Sequence, residues 1–315
     1  MSTQAQPATH ATLPLEEALE RCSSDVRSRA RNFWFGLRLL PPDLFQSLCT
    51  VYSWMRLADD LADAEDGGSP ARRREALEGL RLRTRELFRG ADPELVLPAE
   101  GHIMPAMKRL VQRHELDPVD FDRMIDGQLS DLEPRIVETR AELLDYCDQV
   151  ASTVGRVCIR IWGGSGDDCL RLATERGKAL QLTNILRDVR EDHELDRQYL
   201  PREELRAAGI VRGDLAGWNR PVECRRFILE QVELAEGHYR RAEGLESLID
   251  PTCRPTSLAM TRIYHALLAK IRNRPELVSG RQRIRLSSFR KLSIGIRARR
   301  EARRAGADGG SGGAR

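Results

Sequence analysis

Two short acidic rows carry the chemistry that this sequence can be expected to perform. In Arg56-Leu57-Ala58-Asp59-Asp60-Leu61-Ala62-Asp63, Asp59 and Asp63 are four residues apart; in Asn184-Ile185-Leu186-Arg187-Asp188-Val189-Arg190-Glu191-Asp192, Asn184, Asp188 and Asp192 fall at i, i+4 and i+8. On a helix, each set shares one face. Like charges spaced this way destabilise an isolated helix, and the neighbouring Leu57, Leu61, Ile185 and Leu186 are side chains that seek a core. Carboxylates carried that close to an interior need compensating positive charge. Oxygen donors from two facing helices suit a hard octahedral cation that keeps its waters, Mg²⁺, which commonly bridges carboxylates to substrate phosphates. Arg56, Arg187 and Arg197 would complete an anion site. A diphosphate clamped by metal and arginine is a good leaving group, because the charge that develops as it departs is stabilised.

A single DxxxD in a charged helix is usually a solvated face; two, each accompanied by arginine and set in apolar helix, are much rarer. A metal-dependent phosphohydrolase would use similar carboxylates but usually adds histidine ligands. The six histidines (10, 102, 114, 193, 238 and 265) form no HxxxH or HxD pair. Aromatic residues are only 5% of the chain, yet they gather beside the rows: Phe33, Trp34 and Phe35 before the first, Tyr52 and Trp54 within its helix, Tyr199 after the second. Aromatic faces stabilise a carbocation without attacking it. Trp34, Phe35 and Trp54 read more plainly as core anchors, and Tyr52, one turn before Arg56, fits either role. Ala151, Ser152 and Gly155 leave little bulk on part of one helix face, which permits close packing or room for a long apolar ligand.

The elements that must position these rows are helices throughout. Apolar residues recur at helical spacing over Leu15–Arg31, Asp43 to about Asp66, Ala71–Phe88, Met104–His114, Asp117 to about Leu132, Ala141–Trp162, Asp167–Asp192, Val222–Leu248 and Leu258–Asn273. A short helix opens at Pro201, Leu95–Gly101 reads as a loop, and no alternating strand pattern appears. The fold class is therefore all-α, a single helical domain over residues 14–300, with residues 1–13 and the Gly/Ala-rich 301–315 expected to be disordered.

Composition excludes several functions. The chain has 315 residues with 51 Lys+Arg against 48 Asp+Glu, a net charge of +3 too diffuse for a nucleic-acid binder. Seven cysteines without a CxxC pair read as reduced thiols in a cytoplasmic protein. No signal peptide or membrane-spanning run is apparent. The basic stretch Arg281–Arg304 reads as a solvated helix, or as one resting peripherally on anionic lipid at the inner face of the membrane; the solvated helix is the plainer reading.

Taken in order, the motifs resemble the squalene/phytoene synthases, the head-to-head trans-isoprenyl diphosphate synthases, over about Asn32–Leu292. They are Asn32-Phe33 with Leu39-Leu40-Pro41; Tyr52, Arg56, Asp59, Asp60 and Asp63; Tyr146-Cys147 and Val150-Ala151-x-Thr153-Val154-Gly155; Gly177-x-x-Leu180-Gln181-x-x-Asn184-Ile185-Leu186-Arg187-Asp188-x-x-x-Asp192; Arg197-x-Tyr199-x-Pro201; Ile263-Tyr264; and Arg283-Ile284-Arg285 to Lys291-Leu292. The resemblance implies an isoprenoid synthase fold around a central cavity. It implies that Asp59, Asp63, Asn184, Asp188 and Asp192 bind Mg²⁺ and two prenyl diphosphates, with Arg56, Arg187 and Arg197 as diphosphate-binding arginines and Asp60 also in substrate binding. Phe33, Tyr52, Tyr146, Val150, Gly155, Gln181, Tyr199 and Tyr264 would line the prenyl channel or the cation site, with Tyr52 and Arg56 joining the four aspartates in catalysis. One departure is visible: relatives often carry Ser or His ahead of the Phe, where this chain has Arg29, Ala30 and Asn32.

The expected reaction is the joining of two farnesyl diphosphates to presqualene diphosphate or a squalene-type product, with NADPH needed only for a reductive end. The wording of the second motif and of Arg197–Pro201 resembles the bacterial hopanoid branch slightly more than the carotenoid branch. A phytoene synthase using two geranylgeranyl diphosphates is the close alternative, and an inactive binding relative the remote one. Other expected partners are the downstream isoprenoid enzymes.

Overall fold

The computed structural model describes the chain except residues 1–11, 30–33, 35, 64–67, 93, 95–96, 134 and 310–315, with residues 303–309 described by their backbone alone. Its helices, in chain order, are α1 (Leu15–Arg29), α2 (Pro42–Ala62), α3 (Pro70–Phe88), α4 (Glu100–Arg113), α5 (Pro118–Ser130), α6 (Arg140–Cys147), α7 (Thr153–Ile161), α8 (Asp167–Glu194), α9 (Arg202–Ala207), α10 (Arg212–Gly217), α11 (Pro221–Arg241), α12 (Arg254–Asn273) and α13 (Ser288–Gly309). Among the described residues there is no strand, only one isolated parallel bridge between Ile136 and Gln198.

Local chemistry sets many of the boundaries. Proline opens α2, α3, α5 and α11, where its missing N–H costs nothing. Ser69, Asp117 and Thr139 cap α3, α5 and α6 by accepting backbone N–H groups. Helix α8 begins with Asp167 and Asp168 at its positive end. It ends through Asp196, whose φ of 57° lies in the left-handed region that Asp tolerates better than most residues. That reversal lets the Arg197 N–H donate to the Asp192 carbonyl at 2.8 Å. The following residues pair with 135–137, the Gln198 N–H donating to the Arg135 carbonyl and the Val137 N–H to the Gln198 carbonyl.

Two apolar clusters flank the middle of the molecule. One joins α1 to α5 with α7, around Trp54, whose indole N–H donates to the Thr84 hydroxyl at 2.9 Å; the other joins α6, α8 and the later helices, around Leu186, Phe227 and Leu268. Helix α8 runs between them, touching α6, α7, α11 and α12. Burying one Leu, Ile or Phe side chain in such a cluster contributes about 1.5–3 kcal/mol. All seven cysteines are free thiols, six of them buried.

Several boundaries differ from expectation. The single helix expected over Ala141–Trp162 is interrupted by a π turn, Asp148–Ser152; side-chain periodicity does not register one extra backbone residue. Helix α4 starts at Glu100, inside the expected loop. The helix expected to reach Leu248 stops at Arg241, and the chain passes through Gly244 at φ 88° into a 3₁₀ turn, Leu245–Leu248. Helix α10 was not anticipated, since six residues carry too little periodicity. The basic stretch is helical only from Ser288. At its other end the helix continues to Gly309, so residues 301–309 of the expected disordered tail are helical. Within the expected disordered 1–13, residues 1–11 lie outside the described residues, and the Leu13 N–H donates to the Gly101 carbonyl.

Candidate active site

A cavity of about 500 Å³ opens between α2, α5, the π turn, α7, α8 and α12, within the usual range for a small-molecule site. It follows α8 from Ala173 to Asp192, nineteen residues or about 28 Å of helix. Its walls toward one end are apolar, with Val150, Val154, Cys158, Ile159, Trp162, Leu245 and Met260. Both acidic rows line the same space: Asp59 from α2 and Asp63 from the position that ends it, Asn184, Asp188 and Asp192 from α8.

The carboxylates are engaged by cations and donors. Asp188 accepts two hydrogen bonds from Arg187 (2.7 and 2.5 Å) and two from Arg283 (2.8 and 2.7 Å). Burial would raise its pKa, but these two guanidiniums outweigh burial and hold it below the ordinary range. Asp63 pairs with Arg197 at 3.3 Å. Asp59 accepts from the Gln128 amide at 2.7 Å, with Arg56 at 3.6 Å. Burial, reinforced by Asp63 and Asp60 and opposed by Arg56, pushes Asp59 up to about 6. Burial and the Asp188 charge push Asp192 up to about 7.

Among the described residues no three His, Cys, Asp or Glu side chains are gathered into a ready metal cage. The donor set nevertheless fits a hard cation. The Asn184 Oδ1 is buried without a hydrogen-bond partner, and two carboxyls on facing walls are pushed toward protonation by burial and their acidic neighbours. Charge balance on these walls is incomplete without added positive charge.

Tyr146 and Tyr199 stack with ring centroids 4.7 Å apart and planes 17° from parallel. Their hydroxyls both donate to Asp131, at 2.8 and 3.1 Å. Burial raises the Asp131 pKa against the pull of the two tyrosines and the charges of Arg197 and Arg135. The Arg135 guanidinium lies 4.7 Å from the Tyr146 ring centroid. Buried Arg176 also lines the cavity, paired with Glu246 at 2.9 Å and donating to the Ala242 carbonyl.

Of the residues singled out in the sequence, the cavity brings together Asp59, Asp63, Tyr146, Val150, Gly155, Gln181, Asn184, Arg187, Asp188, Asp192, Arg197, Tyr199 and Tyr264. It does not include Tyr52, Arg56 or Asp60. Asp60 is bound by Arg29 and by Arg56, each at 2.7 Å, and Arg56 and Asp60 face a separate groove shared with α1. The physical reason is helical spacing: Asp60 is one residue, about 100°, round the helix from Asp59. Phe33 lies outside the described residues.

Sequence reasoning missed Gln128 and Asp131, whose partners are remote in the chain, as well as Arg135 and Arg176. Arg283 was noticed only as part of a motif. The helix expected over Arg281–Arg304 gave it no reason to reach α8, whereas the irregular segment before Ser288 delivers it to Asp188.

The chain matches the family model described as squalene/phytoene synthase over residues 26–290. It is 35% identical over 264 residues to a presqualene diphosphate synthase of Zymomonas mobilis, covering 81% of this chain and 86% of that one. It is 33% identical over 287 residues to a phytoene synthase of Mycobacterium tuberculosis, covering 90% and 91%. Among solved structures it superposes on a squalene synthase from Alicyclobacillus acidocaldarius with a TM-score of 0.73 at 30% identity, covering 83% of this chain and 96% of that one. A dehydrosqualene synthase superposes with a TM-score of 0.77 over 92% and 98%, at 24% identity, a likeness of fold. An all-α chain with two acidic rows facing across one apolar cavity, matched along most of its length, belongs to the squalene/phytoene synthase family.

Proposed function

We propose that the protein joins two prenyl diphosphates head to head, with two farnesyl diphosphates as substrates and presqualene diphosphate or a squalene-type product. The observation that carries this reading is the single cavity with an acidic and arginine-lined rim and an apolar interior. Asp59, Asp63, Asn184, Asp188 and Asp192 would hold Mg²⁺, which when bound supplies charge for diphosphate departure. Arg187, Arg197 and Arg283 stand at the same rim and would take diphosphate oxygens. The stacked Tyr146 and Tyr199 would offer ring faces to an allylic cation, their hydroxyls fixed by Asp131 and turned away from attack. The apolar walls exclude water that would otherwise quench that cation. NADPH enters only if the reaction runs to a reduced product. The presqualene and phytoene syntheses named for the relatives are the two substrate readings, and the resemblance of the second motif favours the first. Incubation with labelled farnesyl or geranylgeranyl diphosphate, with Mg²⁺ and with or without NADPH, tests this. Formation of neither a thirty- or forty-carbon cyclopropylcarbinyl diphosphate nor the corresponding hydrocarbon from either substrate overturns the proposal.

Chain length would be set at the apolar end. Leu245 is buried there at 2% exposure. A pocket distinguishes one methylene by about 1–3 kcal/mol. Leu245→Ala is expected to raise the ratio of kcat/KM for geranylgeranyl over farnesyl diphosphate by about tenfold or more. An unchanged ratio in competition assays would remove Leu245 from this role.

A second expectation concerns pH. Asp59 and Asp192 rise in the fold from 3.8 to about 6 and about 7. Between these values the folded protein binds more protons than the unfolded chain, so the metal-free protein loses stability as pH rises through that window. A cation competes with those protons. The melting-temperature gain on adding Mg²⁺ is therefore expected to be small at pH 5 and larger at pH 8, each tenfold tightening adding about 1.4 kcal/mol. A gain that does not grow with pH contradicts the assignment of these carboxylates as ligands.

A further inference from the structure

Helix α13 leaves one face uncovered. Its inner side packs through Ile294 and the fully buried Ala298, against a core that includes α12. On the other side Phe289, Leu292 and Ile296 are 81%, 52% and 45% exposed. At about 100° per residue these three fall within an arc of about 60°, opposite Ala298. Single exposed apolar side chains are ordinary; three in a row on one helix face form a contiguous patch.

Charge surrounds that row. Exposed Arg290 and Arg297 lie along one edge, Arg299 along the other, and Arg300 continues the row itself. Residues 281–304 hold ten of the chain's 51 Lys and Arg but one of its 48 Asp and Glu. That single acid, Glu301, is held by Arg262 at 2.6 Å. The rest of the chain carries 41 basic and 47 acidic residues, so the protein is electrically polarised toward this end.

We propose that α13 docks the protein on an anionic lipid bilayer, with Phe289, Leu292 and Ile296 in the interface and the flanking arginines on the headgroups. An apolar row edged by cations is the pattern of a helix lying in the membrane plane, and each Lys or Arg near an anionic surface adds attraction. A second copy of the chain would bring two strongly basic ends together. A nucleic acid would satisfy the arginines and leave the apolar row in water. The face also stands beside the cavity: Phe289 follows the rim residue Arg283 by six residues, within about 20 Å along the chain. Docking there would set the cavity mouth near the lipid. The binding itself is independent of the proposed reaction.

Co-sedimentation of the full chain, without substrate, on vesicles of phosphatidylcholine with phosphatidylglycerol is expected to show binding that is lost on phosphatidylcholine alone and weakened by salt. Phe289→Ser with Ile296→Ser should weaken partitioning tenfold or more at an unchanged melting temperature. Arg297→Glu with Arg300→Glu, which leaves the apolar row intact, should do the same. Should either pair impair folding, amide exchange in the wild type gives the answer: vesicles should protect residues 288–300. Absence of binding at low salt, equal binding to neutral vesicles, or self-association that depends on Phe289 and Ile296 would overturn the proposal.

Discussion

Asp188→Ala is expected to reduce prenyl coupling by about a thousandfold or more, corresponding to about 4 kcal/mol of lost transition-state stabilisation. Two losses combine at this position. The variant removes an oxygen donor from the centre of the second acidic row, and it removes the acceptor of four charge-assisted hydrogen bonds from Arg187 and Arg283. Arg187 is only 10% exposed. Without Asp188 its guanidinium would face Arg283 without the carboxylate between them, and breaking a buried pair in this way costs about 3–5 kcal/mol. Asp188→Asn separates the two effects. It keeps the shape and one acceptor oxygen, so the fold should survive while the charge that draws a divalent cation is gone. Coupling of labelled farnesyl diphosphate into presqualene diphosphate or a squalene-type product, beside melting curves for both variants, makes the comparison. Turnover like the wild type's in either variant would remove Asp188 from the metal assignment. Asp59→Ala, on the facing wall, should give a loss of the same order with a smaller effect on stability, since its partners Gln128 and Arg56 are less enclosed.

The rows were legible because their spacing and the helix share one geometry: residues at i, i+4 and i+8 return to the same face, and the leucines and isoleucines between them say which side is inward. Asp59 and Asp188 therefore line one cavity as their spacing implies. Adjacency in sequence was a poorer guide. Arg56 and Asp60 lie within the same eight residues as Asp59 and Asp63, yet helical rotation carries them to the groove beside α1, where Arg29 closes on Asp60. Asp131 had no signal in its own neighbourhood. Its two tyrosine donors come from 15 and 68 residues away, and only the pairing of residues 135–137 with 197–199 brings them together. The π turn was equally hidden, because side-chain periodicity reports which faces are apolar and not how many residues each turn contains.

That π turn accounts for two glycines whose reason the sequence leaves open, and one of them should be nearly irreplaceable. A Cβ built at Gly177 of α8 would lie 2.4 Å from the Ser152 Cα and 2.7 Å from its nitrogen; one built at Gly127 of α5 would lie 2.5 Å from the Val150 Cγ1. The widened turn thus sits between two helices, each carrying glycine where it comes closest. It answers the question posed by Ala151, Ser152 and Gly155: Ser152 and Gly155 both pack closely on the α8 backbone, and Ala151 and Gly155 also line the cavity. The two glycines differ in what blocks them. Val150 can rotate its methyl away, whereas the backbone of Ser152 can move only if the turn itself moves. On an exposed helix Gly→Ala would stabilise by about 1 kcal/mol. At Gly177 overpacking against backbone should reverse the sign and cost about 1–3 kcal/mol net, lowering the melting temperature by several degrees. Because the turn carries Val150 and Ala151 on the cavity wall, directly after Tyr146, Gly177→Ala should also depress kcat, which Gly127→Ala should largely spare. Melting curves and steady-state coupling on the two variants decide the point. A Gly177→Ala protein as stable and as active as the wild type would show that the close approach of α8 to the turn is not what holds this wall in place.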